Sequence, residues 1–330
     1  MRKTKWPIII LLILVIAYLG GPRPSEPSYS DEMPQLPANT LLLEQYVVNR
    51  ESQHKIKPDN EARIVWANDS AKNRTKYAMV YLHGFGASQA EGEPLHRDLA
   101  KKFKSNLYLS RLAEHGLDTT DAMVNLTVDK YWESAKEALA IGKQLGDTVI
   151  LVGCSTGATL ALKLAAEYPE IHALILLSPN IEINDGNAWL LNNPWGLHIA
   201  RMVTGSKYMD SKKDQREIYR KYWYHHYRLE AVVSLEELLE SSMTEETFKK
   251  VKQPTLVLYY YKDEVHQDST VKVSAMKKMY AQLGTPSNLK LEMAMPQAGD
   301  HVISSYIKSK DVEGVKRECE RFLSEVVGLK

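Results

Sequence analysis

The chain has 330 residues, 42 of them Lys or Arg against 41 Asp or Glu, and this near-balance excludes a role built on electrostatic attraction to nucleic acid. Two cysteines exclude a disulfide framework, and no Cys/His cluster has zinc spacing, since adjacent His225 and His226 cannot both point at one metal from a regular element. The length allows a single α/β core plus an insertion once the N-terminal region is set aside.

Arg2, Lys3 and Lys5 precede an apolar run over residues 6–19, the layout of a secretory signal or a short membrane anchor. The run falls short of the roughly 20 residues of a comfortable transmembrane helix, although Gly20 and Gly21 lengthen it a little. An uncleaved anchor over residues 1–21 is the expectation, with the basic residues cytoplasmic and the rest outside, in the periplasm of a Gram-negative cell. Cleavage after Ala17 is the alternative, and it releases a secreted chain. Residues 22–39 carry Pro22, Pro24, Pro27, Pro34 and Pro37 among serines and acids, a composition that predicts a semi-rigid spacer. A domain of residues 40–330 follows.

Within it, residues 61–66 read as an early strand. Residues 77–82 read as a buried strand that ends in His83-Gly84-Phe85-Gly86, where the chain turns sharply and backbone N–H groups can face outward. Residues 106–110 are the next strand. Residues 129–145 form a helix with Trp132, Ala135 and Leu139 on its apolar face and Gly146 at its end.

The pivotal stretch is Leu151-Val152-Gly153-Cys154-Ser155-Thr156-Gly157. It sets a serine between two glycines, after a buried strand over residues 149–152 and before a helix over residues 156–168. That is the layout of a nucleophile elbow, in which a tight turn lifts the serine Oγ above the sheet within reach of a base. An oxyanion formed there is held by two backbone N–H groups, one just after the serine and one from a loop following an earlier strand. Thr156 and Phe85 are the candidates; His83, upstream of the serine, is expected to brace its loop.

Residues 172–177 form another strand, after which the pattern changes until about residue 250. Residues 183–250 are expected to be a cap, with Trp189, Trp195 and Trp223 as candidates to line a substrate pocket above Ser155. Residues 255–261 form a buried strand ending in Lys262-Asp263-Glu264-Val265-His266-Gln267-Asp268. Asp263, first past the strand, is the chosen orienting acid, with Glu264 and Asp268 as competitors. Residues 289–295 are the last strand, and the loop Gln297-Ala298-Gly299-Asp300-His301 makes His301 the general base, with Asp300 too close in sequence to orient it. Cys319 falls on the apolar face of a final helix. Buried strands alternating with amphipathic helices imply a mostly parallel sheet covered on both faces.

From about residue 77 to the C-terminus these segments resemble the α/β-hydrolase fold, specifically its carboxylesterase and monoacylglycerol-lipase-like branch, which includes serine aminopeptidase-like hydrolases. Asp263-Glu264-Val265 before a helix and Gly299-Asp300-His301-Val302-Ile303 before a final helix are similar to that branch. Residues 111–117, with His115-Gly116, resemble its loop after the fourth strand. The chain departs from the pattern at Ala158, where a second glycine is common, and at Asp300, which separates Gly299 from His301. The resemblance implies a hydrolase of short- or medium-chain or monoacyl esters that needs no cofactor and no metal. A serine aminopeptidase, a thioesterase and a non-catalytic membrane-anchored binding domain are the alternatives. An aminopeptidase needs a cap carboxylate for the substrate ammonium, and Glu230, Glu236, Glu237 and Glu240 are available.

Overall fold

The computed structural model describes residues 5–211 and 214–330. The strands are β1 (Arg63–Val65), β2 (Thr75–Leu82), β3 (Asn106–Leu109), β4 (Gly146–Cys154), β5 (Ala173–Leu177), β6 (Tyr208–Asp210), β7 (His226–Arg228), β8 (Thr255–Tyr259) and β9 (Lys290–Ala294). The helices are α1 (Lys5–Leu19), α2 (Thr40–Ser52), α3 (Leu95–Lys102), α4 (Val128–Leu145), α5 (Thr156–Glu167), α6 (Gly196–Thr204), α7 (Glu217–Tyr222), α8 (Leu229–Ser242), α9 (Glu245–Lys250), α10 (Val273–Gln282) and α11 (Val312–Arg321). Seven strands form one sheet in the order β1-β3-β2-β4-β5-β8-β9, parallel throughout except for β1 against β3. This is the α/β-hydrolase architecture.

Strand side chains alternate between faces, so each central strand feeds two cores. Ala78, Val80, Leu82, Val149, Leu151, Leu174 and Leu176 enter the core under α4 and α5. Tyr77, Met79, Tyr81, Ile150, Val152, Cys154, Ile175 and Leu177 enter the core under α3 and α11, where Cys319 also lies. Nearly continuous apolar runs are what a sheet buried on both faces requires. Gly146 is where α4 becomes β4 without a loop: its backbone is extended, at φ −151°, and a Cβ there would meet the Ala78 nitrogen at 2.5 Å.

The expected cap divides in two. Its first part, with α6, α7 and the β6–β7 pair, carries a two-stranded sheet of its own. Its second part belongs to the sheet's own helical layer, since Ala231 and Leu238 of α8 and Phe248 of α9 join the α4–α5 core.

Arg2 and Lys3, part of the basic cluster, lie outside the described residues. Among the described residues no helix is long and apolar enough to cross a membrane. The 15 residues of α1 rise about 22 Å, short of the roughly 30 Å hydrocarbon core. The proline-rich stretch that predicts a spacer is instead laid along the domain. The buried Trp132 indole N–H donates to the Ser30 carbonyl at 2.7 Å, the buried Lys136 ammonium donates to the Glu32 carbonyl at 2.7 Å, and Ser28 bonds Asp129 through both its N–H and its hydroxyl. Prolines favour this course: a chain that forms no ladder of its own offers its carbonyls to neighbouring donors.

Candidate active site

Ser155 occupies the turn between β4 and α5 with φ 53° and ψ −119°, a conformation costly for a side chain with a Cβ. The turn is held on both sides: the Ser155 N–H donates to the Leu177 carbonyl at 2.9 Å, and its carbonyl accepts the Ala158 N–H at 2.9 Å. Gly157 is forced by packing, because a Cβ there would stand 1.9 Å from the Leu82 carbonyl oxygen. The cost of the strained serine is offset by this over-determined neighbourhood.

His301 enters from the loop after β9 and lines the same cavity of about 560 Å³ as Ser155. Its carbonyl accepts the Ser178 hydroxyl at 2.7 Å, which fixes the loop against the end of β5. Its Nδ1 lies 2.6 Å from Asp268 Oδ2. That contact takes up Nδ1 and leaves Nε2 as the ring nitrogen available to a reacting group. Burial pulls the His301 pKa down, but the Asp268 charge and hydrogen bond, joined by Glu91 and Asp300, outweigh it and hold the imidazole above its ordinary value.

Asp268, not Asp263, therefore faces the histidine. Past β8 the chain makes a small excursion: the Lys262 N–H donates to the His266 carbonyl at 2.9 Å, and Tyr261 bridges to Gln267 across its neck. Asp263 sits on this excursion and accepts from the Val265 and His266 N–H groups at 3.0 and 2.7 Å. These bonds, with His266 beside it, hold its carboxyl below the usual range. Closing the neck returns Asp268 to the strand end, where its N–H donates to the Tyr260 carbonyl at 3.1 Å. Asp268 is 2% exposed, and its second oxygen accepts the Thr270 and Val271 N–H groups at 2.8 and 3.1 Å. Glu264 stays on the surface, bonded to Tyr261.

Phe85 follows β2 and borders the cavity, and Thr156 follows the serine. Neither N–H has a hydrogen-bond partner among the described residues. Three buried side chains fix the Phe85 loop. His83 donates from Nδ1 to the Gly84 carbonyl at 2.9 Å and accepts the Leu112 N–H at 3.0 Å on Nε2. His115 accepts the Gly86 N–H at 3.0 Å. Glu91 accepts the Gly84 N–H at 2.5 Å, leaving Phe85 as the next outward donor. Burial disfavours the charged forms, pushing His83 down to about 4 and His115 well below its usual value, so both imidazoles stay neutral, and pushing Glu91 up to about 7. His83 thus takes the bracing part its position suggests. The resemblance of residues 111–117 marked His115 without giving it this part, and no sequence signal marked Glu91.

Of the three tryptophans, Trp223 lines the cavity and stacks on Tyr219 at 4.8 Å between ring centres. Trp189 lines a different cavity. Trp195 turns to the N-terminal segment, donating its indole N–H to the Ala17 carbonyl at 3.0 Å and its backbone N–H to the Pro22 carbonyl at 2.9 Å. The aromatic wall is made instead by Tyr219, Trp223, Tyr224 and Tyr227, with Val232 and Leu235 of α8. None of Glu230, Glu236, Glu237 and Glu240 borders this cavity. Among the described residues no cluster of His, Cys, Asp or Glu is arranged to hold a metal.

A family model described as serine aminopeptidase, S33, matches residues 73–293, more than half of the chain. A search of curated proteins gives no match. Among solved structures, the chain is similar to one from work on LipS and LipT, two metagenome-derived lipolytic enzymes, with a TM-score of 0.64 and 16% identity over 82% of this chain and 100% of that one. It is similar to the monoacylglycerol lipase of Paleococcus ferrophilus, with a TM-score of 0.57 and 14% identity over 80% of this chain and 99% of that one. The enol-lactonase of Burkholderia xenovorans LB400 gives a TM-score of 0.52 and 16% identity over 80% and 96%. At these identities the likeness is one of fold.

Proposed function

Because this chain belongs to the serine aminopeptidase S33 family of the α/β-hydrolase superfamily, we propose that it is a serine ester hydrolase acting through Ser155, His301 and Asp268. The observation that carries the reading is the 2.6 Å contact between Asp268 and the Nδ1 of His301, a residue that lines one cavity with a serine at a strained elbow. With Nδ1–H donated to Asp268, His301 Nε2 takes the Ser155 proton as Oγ attacks an ester carbonyl. The Phe85 and Thr156 N–H groups stabilise the oxyanion, and His301 returns the proton to the leaving alcohol. Water then attacks the acyl-enzyme with His301 again as base. The Asp268 charge stabilises the imidazolium present in both transition states.

Walls of aromatic and aliphatic side chains support an acyl or aryl substrate of moderate length. An aminopeptidase reading has less support, since the four cap glutamates do not border the cavity and the one cap carboxylate that does, Asp210, is already engaged by His226 Nδ1 at 2.6 Å. Labelling with a fluorophosphonate, and its loss in Ser155→Ala, tests the nucleophile. A panel of p-nitrophenyl esters against aminoacyl p-nitroanilides tests the substrate class; cleavage of the anilides alone overturns the ester reading. We also propose that the domain works outside the cytoplasm, delivered by the N-terminal segment as anchor or signal. Basic Arg2, Lys3 and Lys5 at the head of an exposed apolar helix support this.

A further inference from the structure

Helix α8 borders two cavities. Val232 and Leu235 face the one that holds Ser155, while Glu236, Leu239, Glu240 and Met243 face a second, of about 520 Å³, with Ile183 on the wall between them. Glu236 is 5% exposed, and its Oε2 has no hydrogen-bond partner among the described residues. A carboxylate oxygen buried without a donor is costly, and among the described residues no backbone N–H, hydroxyl or ammonium reaches Oε2. Its surroundings deepen the deficit. Among the described residues lining this cavity there are five carboxylates against the one ammonium of Lys278. Glu182 is already paired with Lys272. Burial, then Glu240 and Glu182, push the Glu236 carboxyl up to about 7, with Lys272 pulling the other way.

The remaining walls are apolar, with Trp189, Leu239 and Met279 among them. A metal ion is poorly matched to such walls, and no metal-holding group occurs among the described residues. A primary ammonium on a hydrocarbon body matches both parts, since it brings positive charge and N–H donors to the Glu236 carboxyl and surface for the apolar walls to cover. We propose that this second cavity is a binding site for a primary organic ammonium with an apolar body, which donates to Glu236. It is distinct from the cavity of Ser155, and it does not rest on the ester-hydrolase reading.

The test is calorimetric titration of the full-length protein with hexylammonium and, in parallel, with 1-hexanol. The expected result is saturable binding of the amine at least tenfold tighter than the alcohol, reduced tenfold or more in Glu236→Gln. A second variant guards against a folding defect in the first. Gly186→Trp stands at the exposed rim of this cavity, where an added Cβ meets nothing within 4 Å; it should block the amine while keeping the wild-type melting temperature. Equal affinity for the two ligands overturns the proposal, as does binding undiminished in both variants. Binding lost when Ser155 carries a fluorophosphonate adduct places the amine in the other cavity and also overturns it.

Discussion

At the scale of single residues, the site makes its claims through one histidine. If Ser155 and His301 act as a unit, Ser155→Ala and His301→Ala each lower ester turnover by about 10⁴-fold or more, and the double variant is scarcely worse; additive losses measured with a p-nitrophenyl ester would count against the pair. Asp268→Asn should lower turnover by about 10³–10⁴-fold, whereas Asp263→Asn, on the surface excursion, should change it less than about threefold. The pH profile gives the sign independently. Asp268 is a main force holding the His301 pKa above its ordinary value, so the wild-type acid limb of kcat/KM lies on the high side for a histidine. Removing the charge lets burial dominate, and the limb of Asp268→Asn moves to lower pH. A limb that stays in place would detach Asp268 from the histidine. Ser155, His301 and the Phe85 loop were legible because each is written into a few consecutive residues. Asp268 was legible only as a competitor to Asp263, since its distance from the strand end in sequence is cancelled by a neck closed between Tyr261 and Gln267, which no local pattern announces.

At the scale of elements, the strands and the helix after Ser155 were readable because burial on both faces gives long apolar runs bounded by turns. The insertion was read as one cap because it lies between two strands, yet α8 and α9 carry apolar faces that complete the α4–α5 core. The tryptophans show the same limit: an aromatic ring declares that it packs, without declaring against what. Trp223 and Trp189 separate experimentally. Trp223→Ala should cost about 3–5 kcal/mol of stability and also shift preference toward longer acyl chains, because the ring is both buried and part of the cavity wall. Trp189→Ala should leave the ranking of esters unchanged. A melting curve and an ester-length profile on the two variants check this, and a shifted ranking in Trp189→Ala would join the two cavities into one.

At the scale of the whole molecule, the N-terminal segments govern where the domain sits and how firmly it holds together. Removing residues 1–21 should leave the melting temperature nearly unchanged. Removing residues 1–38 takes away the carbonyls that accept from buried Trp132 and Lys136; Lys136 keeps Glu133 at 2.9 Å, but the Trp132 indole N–H loses its partner and its cover, and the truncation should lower stability by about 1–3 kcal/mol. Equal melting temperatures would show that the strap adds nothing. In a Gram-negative host, inner-membrane sedimentation with protease access from the periplasm would mark an anchor, a soluble chain beginning at Tyr18 would mark a signal, and a domain retained in the cytoplasm would refute export. The contact between Trp195 and Ala17 gives that last question an optical form. An indole whose N–H is bonded to a backbone carbonyl emits differently from one bonded to water, and cleavage after Ala17 takes the carbonyl away with the departing peptide. The ring thus works as a built-in fluorophore at the cleavage point: the difference in emission between Trp195→Phe and the parent chain reports, without labels or gels, whether the first seventeen residues are still attached.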